Sequence, residues 1–532
     1  MIPVRIRPQK REDKHEKKDF PVFLASAMAL SLLTIPSAGM TGPLPVSADE
    51  LEDDLEDEAD LVVTLLTFTP MSVEITDRVE ERLNEITQEK INATVDFEWK
   101  DAGQYLTTVP MMLQANEQID LIMFTPIPAA SYQSFMSQNQ LMDITDLLPV
   151  YAPDVCAYMG DYLKATSKSG SIYGVGNLYN LKSQLSIDMR KDILEDAGLL
   201  EEAESMTNWQ DVKEVMKKAS ESSGMNALVS LDDLADVITM APFVIGNGDL
   251  ADTEWLDSCG DTYYFTYIDP ADDKVKCYFE NEKWLNGIKL AREFYNEGLV
   301  FKDALTSPDT GVTLIRSGVG FAQISPTDIG AEAMFKNSTG YDDFRTLLTS
   351  SKASTATFQK FGFAVPITAG YPERALRLLN LMWTDQEFMD TLAWGIEGED
   401  WVRTENGMAD YPEGTDSNSV YHLQDFMLGN TNQVIPWTGD DPDIRQHTIE
   451  SNESVELSKY LGFSVDSVPV AEKVSACKFV FDQYCPPLNC GAAGDDVDAL
   501  AAEFIEAMYG AGLQDIIDEY QAQLDAWLAE NS

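Results

Sequence analysis

The chain has 532 residues, 44% of them apolar, enough to bury a large core and to divide into two or more lobes. Its 90 Asp and Glu against 37 Lys and Arg give a formal charge of −53, a field that repels nucleic acid and anionic membranes because few cations are available for counterion release. Six cysteines are few for an exported chain of this size, so no disulfide framework is needed, and none has zinc-site spacing.

Residues 1–48 are predicted to be a cleaved secretory signal. A basic leader (Arg5, Arg7, Lys10, Arg11, Lys14, Lys17, Lys18) precedes a short apolar run, Pro21 to Ile35, and an Ala-type site at Val46-Ser47-Ala48. The cysteine needed for a lipid anchor is absent: the first is Cys156, and Met40 follows Ser37-Ala38-Gly39. Without these residues, 30 basic and 86 acidic side chains remain. Residues 49–60, nine of twelve acidic, are expected to be a solvated linker.

Ordered structure is expected from Leu61. Residues 61–68 read as a strand, Val79, Leu83 and Ile86 as one helix face, residues 93–99 as a strand, 105–115 as a helix and 119–124 as a strand. This βαβαβ order predicts a parallel sheet with its ligand crevice at the carboxyl ends of the strands, near Thr69 and Thr125. The glycines of residues 170–176 mark a crossover, and a new strand-to-helix unit begins at Leu185. Thr207 with Gln210 is expected to cap a helix, and Tyr263–Tyr267 with Val275–Phe279 to form a hairpin. The acidic turn of that hairpin, Asp269 to Asp273, lacks the spacing of a calcium loop. Residues 317–326 and 361–367 read as strands, the second returning to the first lobe. A helical region from Tyr371 to about Thr391 follows, its second part capped by Thr384 and Glu387, and two core helices close the chain. Cys259 with Cys277 and Cys485 with Cys490 are candidate disulfides against free buried thiols.

Catalytic motifs are thin. Beyond the leader only His422 and His447 remain, with no His-Glu-x-x-His pattern, phosphate loop or complete dinucleotide fingerprint. With so many acids, no carboxylate pair for glycoside hydrolysis is singled out. No cofactor or metal is expected. The segment Trp394-Gly395-Ile396-Glu397-Gly398-Glu399-Asp400-Trp401-Val402 combines two glycines, a carboxylate between them and a tryptophan near either end, which fits both a sugar-binding loop and a turn packed by its indoles.

Residues 118–121 (Gln-Ile-Asp-Leu), 170–174 (Gly-Ser-Ile-Tyr-Gly), 189–194 (Met-Arg-Lys-Asp-Ile-Leu), 371–375 (Tyr-Pro-Glu-Arg-Ala), 395–398 (Gly-Ile-Glu-Gly), 461–463 (Leu-Gly-Phe) and the terminal 520–527 stand in an order that resembles the family 1 extracellular solute-binding proteins of bacterial ABC sugar importers, in particular a Gram-positive subgroup with a distinctive C-terminal domain. Two departures are the missing lipidated cysteine and Asp400-Trp401, where the family often has His-Tyr. The resemblance implies a type II periplasmic-binding-protein-like α/β fold of two lobes, each a sheet flanked by helices, with a ligand cleft between them. The expected divisions are residues 61–180 for the first part of lobe 1, 181–360 for lobe 2, 361–400 for the return to lobe 1, and 401–532 for a family-specific region packing mainly on lobe 2.

The expected activity is capture of an oligosaccharide or glycan fragment by lobe closure and its delivery to membrane permease subunits, by a monomer outside the cell and without catalysis. Alternatives are a ligand-binding partner of a membrane sensor and a secreted glycosidase. Because sugars need aromatic platforms and fixed polar partners, Trp394, Trp401 and Trp437 are the platform candidates, and Trp99, Trp209, Trp284 and Trp527 are read as core. Glu397 either accepts from sugar hydroxyls or caps a turn, and Tyr179 and Asn180 either contact ligand from the hinge or pack there. Thr69, Thr125, Gln323 and Ser325, at strand ends, complete the candidate site.

Overall fold

Alternating and β-branched runs form the strands of two sheets in the computed structural model, which describes residues 55–531 apart from 69–70, 183, 230–249, 251–255, 262, 308, 328, 351, 417–418 and 495. The predicted signal, most of the acidic linker and Thr69 lie outside the described residues. The strands are β1 (Ala59–Thr67), β2 (Ala93–Asp101), β3 (Leu121–Phe124), β4 (Val175–Gly176), β5 (Gln184–Arg190), β6 (Asn226–Leu228), β7 (Gly320–Thr327), β8 (Asp343–Ser350) and β9 (Gly362–Ala364). One sheet has the order β2-β1-β3-β9-β4 and the other β8-β5-β7-β6.

In the first sheet β1 is parallel to β2 and β3, with Val63 beside both Phe97 and Leu121. Helices α1 (Val73–Ile91) and α2 (Ala102–Gln114) make the crossovers. Ser72 opens α1 by accepting from the Ile75 amide, and Val79, Leu83 and Ile86 are its buried face, as their spacing predicts. The chain returns through β9, antiparallel to β3, as expected for the segment from residue 361. The second sheet is mixed, β5 being antiparallel to β7 and β8. Its buried face is led by Leu185, Ile187 and Met189. Helices α3 (Trp209–Ser223), α4 (Glu282–Asn296) and α5 (Ala331–Thr339) belong to this half, and α6 (Pro372–Thr384) and α7 (Gln386–Trp394) to the first.

Each sheet has its own core, one built on β1, β3, α1, α6 and α7 and the other on β5, α3 and α4. The chain passes between the cores after β4, after β8 and again before Tyr460. Backbone hydrogen bonds pin two of these passages side by side, Ala353 pairing with Ser458, and tie the first to the chain of the first lobe, Leu178 pairing with Thr431. This is the two-lobed α/β arrangement expected from the sequence.

Several local expectations are corrected. The hairpin pairs Thr266–Asp269 with Lys274–Cys277, not Tyr263–Tyr267 with Val275–Phe279, because Tyr278 and Phe279 turn into the second core. Asn208, not Thr207, caps α3, and Asp385, not Thr384, caps α7; in each case a side chain one residue on reaches the orphan amides. All six cysteines are free thiols. The region after residue 400 divides between the lobes: Trp401, Ala409, Tyr421, Leu423, Met427, Val434 and Ile435 join the first core, while the larger part, with Tyr460, Phe463 and the stretch from Cys477 to Leu524, packs on the second. In that part α9 (Ala471–Asn489), α10 (Val497–Ala511) and α11 (Leu513–Asn531) cover the second lobe, after α8 (Ile444–Glu453).

Candidate functional site

The segment from Trp394 to Trp401 is a packed turn. Gly395 ends α7 with φ +83°, and a Cβ there would lie 2.6 Å from Asp400 Oδ2, so glycine is required by both backbone and space. The Asp400 carboxylate is fully buried. It accepts from the amides of Ile396 (2.9 Å) and Tyr421 (3.1 Å) and is ion-paired with Arg78 of α1. Trp401 is 2% exposed and donates its indole N–H to the Gly395 carbonyl at 3.1 Å. Arg403 lies over its ring, 5.2 Å from the centroid. A sugar platform must present a face, so Trp401 is corrected from platform to core. Trp394, 3% exposed with its N–H on Ile435 O at 3.1 Å, is likewise packed. Glu397 is exposed and paired with Arg403 at 3.3 Å.

Trp394 instead supports an aromatic cluster. Its ring lies 4.9 Å from Trp437 and 4.7 Å from His422, while Trp437 lies 4.6 Å from both His422 and Tyr411. Trp437, Tyr411 and His422 are half-buried, so this cluster keeps ring surface in contact with solvent. Backbone bonds on either side of Trp437, Ala409 N to Pro436 O and Thr438 N to Ala409 O, hold it in place. Burial lowers the His422 pKa to about 4, leaving a neutral ring at neutral pH. The folded value lies below the ordinary 6.5, so the resulting stabilisation is full above about pH 6.5 and lost as pH falls through about 4. Melts of the unaltered chain and of His422→Phe from pH 7 to 4 check this; the substitution is expected to flatten that part of the profile.

The second lobe approaches the chain just after Trp437. A Cβ on Gly439, two residues after Trp437, would lie 3.5 Å from Asn337 Nδ2 in α5, and one on Gly330, before α5, would lie 2.7 Å from Ile444 Cδ1. Strand β7 ends three residues before Gly330, so the strand carrying Gln323 and Ser325 leads toward this boundary. Gln323 is buried in the lobe and the Ser325 side chain is engaged there. Gln323 is 8% exposed opposite Asp188, and Ser325 donates to Asp188, which also accepts from Ser186 (2.6 Å) and Arg345 (2.8 Å). Arg345 bridges Asp188 to Asp343, at 2.7 Å. Burial, with Asp188 nearby, raises the Asp343 pKa to about 8 despite Arg345.

The remaining candidates act as staples. Thr125 is fully buried, its hydroxyl accepting from the Ile127 amide (3.2 Å) and donating to the Ala130 carbonyl (3.4 Å), which corrects its placement as a ligand contact. Tyr179 donates to Thr357 O at 3.2 Å and accepts from Asn452 at its carbonyl, and Asn180 accepts from the Lys182 amide and Ser451. Both lie at the hinge, tying the crossings together. The structure therefore brings Trp394 and Trp437 into one cluster and leaves Trp401, Glu397, Thr125, Tyr179 and Asn180 apart from it.

Tyr411 and His422 were missed because they sit in irregular chain without periodicity; the available signal was the aromatic density between Trp401 and Trp437. Phe68, 50% exposed at the end of β1, and Phe426, 39% exposed and edge-on to Phe361, are further exposed rings. A separate depression of about 280 Å³ beside Lys276, Cys277, Tyr509 and Gln514 is lined wholly by the second lobe. The acidic hairpin turn is ion-paired, Asp269 and Asp272 with Lys276 and Asp273 with Lys459. Among the described residues no group of three or more His, Cys, Asp or Glu is placed to hold a metal.

A family model described as a domain of unknown function, DUF3502, matches residues 459–529. A carbohydrate ABC transporter substrate-binding protein of Streptococcus pneumoniae serotype 4 is 23% identical over 468 residues, covering 85% of this chain and 89% of that protein. Among solved structures, the N-glycan transport solute-binding protein NgtS of Streptococcus pneumoniae matches with a TM-score of 0.75 at 19% identity, over 89% of this chain and all of that one. An HMO-binding ABC-transporter-associated solute-binding protein of Bifidobacterium longum infantis matches with a TM-score of 0.61 at 15% identity, over 89% of this chain and 99% of its own. The two sheets, the paired crossings and these likenesses agree: the chain has the two-lobed solute-binding fold and resembles the family 1 extracellular solute-binding proteins of sugar importers.

Proposed function

We propose that this chain is the extracellular solute-binding protein of an ABC importer, and that it captures an oligosaccharide or glycan fragment between its lobes and hands it to a membrane permease. The observation that carries the reading is the half-buried cluster of Trp437, Tyr411 and His422, held on Trp394 at the boundary where the second lobe meets the first. Sugar rings stack on such faces and need fixed polar partners around them. Supporting it, the pneumococcal relative is named a carbohydrate ABC transporter substrate-binding protein, and NgtS has been solved with Man1GlcNAc and Man5GlcNAc. The relatives are substrate-binding transport proteins, so the role requires no covalent step. Trp437 is the proposed platform, with Trp394 as its support, and the protein acts outside the cell as a monomer. The strongly acidic surface favours a neutral glycan over a polyanion.

A thermal-shift screen of neutral and acidic oligosaccharides tests this. A binder at about a hundredfold over its dissociation constant is expected to stabilise the chain by roughly 2.7 kcal/mol. Trp437→Ala is expected to weaken that binder about tenfold or more, at least ~1.4 kcal/mol, measured by calorimetry. Shifts with peptides and none with any carbohydrate would end the sugar reading.

A further inference from the structure

Two glycines mark the place where the lobes touch. Gly330 precedes α5 in the second lobe with φ +89°, and a Cβ built there would lie 2.7 Å from Ile444 Cδ1 and 3.7 Å from Asp440 Oδ1. Gly439, φ +105°, faces Asn337 of α5 at 3.5 Å in the same sense. Ile444 opens α8, and α8 belongs to the first lobe's side of the cleft. Arg445 donates to Val434 O (2.8 Å) and pairs with Asp425 (2.5 Å), and Asn452 donates to Tyr179 O (2.7 Å). Val434 is part of the first core. Gly330 is carried by the opposite lobe, between β7 and α5.

On the Ile444 side the contact is made by the apolar end of the side chain. Ile444 is 8% exposed, yet it joins neither large core. What covers its side chain includes the bare backbone of Gly330. A methyl group at residue 330 would crowd Ile444 Cδ1 and force it to shift, and the φ of +89° there favours glycine as well, so the close approach at this point is met by a residue with no side chain.

We infer that Ile444 and Gly330 form a peg and seat across the cleft that holds the lobes closed beside the aromatic cluster, so that they set how long a captured ligand is retained. The retention role rests on the sugar-binding reading; the contact itself does not. A ligand that brings the lobes together gains this contact only in the closed state, and that differential is what shifts the population. Losing the peg therefore acts on dissociation, while association, which starts from the open state, is unchanged.

The test places spin labels on the full chain at two exposed positions, Lys336→Cys in α5 and Glu405→Cys on the first lobe, and reads inter-lobe distance distributions with and without the glycan Man5GlcNAc. Ile444→Ala is expected to move the distribution toward longer distances in both conditions and to speed glycan dissociation about tenfold, with Ile444→Val close to the unaltered chain. Gly330→Ala fills the seat from the other lobe and is expected to give the same opening, which separates loss of the contact from damage to the first lobe. Unchanged distances in both Ile444→Ala and Gly330→Ala would overturn the inference. If no form of the chain binds glycan but both substitutions still open the lobes, the sugar reading fails and the peg and seat stand.

Discussion

Asp400→Ala is expected to destabilise the chain by about 3–5 kcal/mol, because it leaves two amides unpaired inside the fold and removes the fully buried half of an ion pair. The carboxylate is fully buried and serves two amides, Ile396 and Tyr421, besides the Arg78 guanidinium. Arg78 keeps a second partner in Glu399 at 3.2 Å, but neither amide has a substitute within the turn. The loss also releases the reversal that sets Trp401 under Gly395 and the chain from residue 402 onto the first core. Denaturant unfolding followed by tryptophan fluorescence measures it. A cost below about 1 kcal/mol would mean that water satisfies the exposed groups and that the turn is not held by this carboxylate.

The second large effect is a stability profile that runs against the usual acid denaturation. Asp343 titrates at about 8 in the folded chain against 3.8 ordinarily, so the folded state holds its proton more tightly than the unfolded one. The stability this contributes is full below about pH 3.8 and lost as pH rises through about 8. Asp343→Asn removes the titration and keeps the shape. It is expected to raise stability at pH 8 by on the order of a few kcal/mol, with little effect near pH 4. Denaturation midpoints of both chains across this range check the sign; a parallel pair of profiles would refute it. The physical source is one guanidinium, Arg345, set between two buried carboxylates, Asp188 and Asp343, an arrangement that leaves one negative charge uncompensated in a desolvated place.

Much of the first lobe was legible locally. Residues 61–124 alternate or recur at periods that only a strand or an amphipathic helix satisfies, and β1, α1, β2, α2 and β3 follow in that order. The hairpin register was not legible, because apolar and aromatic residues run on both sides of the acidic turn, from Tyr263 to Ile268 and again at Tyr278 and Phe279, and the strands are limited by which of them the second core accepts. The caps at Asn208 and Asp385 were one residue off for a similar reason: neighbouring Thr and Asn or Asp side chains compete for the same orphan amides, and only the backbone direction decides.

Sequence alone determined the βαβαβ order of the first lobe, the acidic balance and the return of the chain at residue 361, which depend on composition, periodicity and spacing, while the two-lobed class was what the resemblance of its motifs implied. The tertiary structure decided which tryptophans are enclosed. Trp401 and Trp437 have the same chemistry and similar neighbours, yet one donates to Gly395 under Arg403 and the other stays half-buried against Tyr411 and His422. Burial depends on what distant segments bring: Arg78 draws Asp400 inward from α1, and α5 of the opposite lobe approaches Gly439 and Ile444. Contacts between residues far apart in the chain leave no local period to read, and those contacts decide which side chains are enclosed.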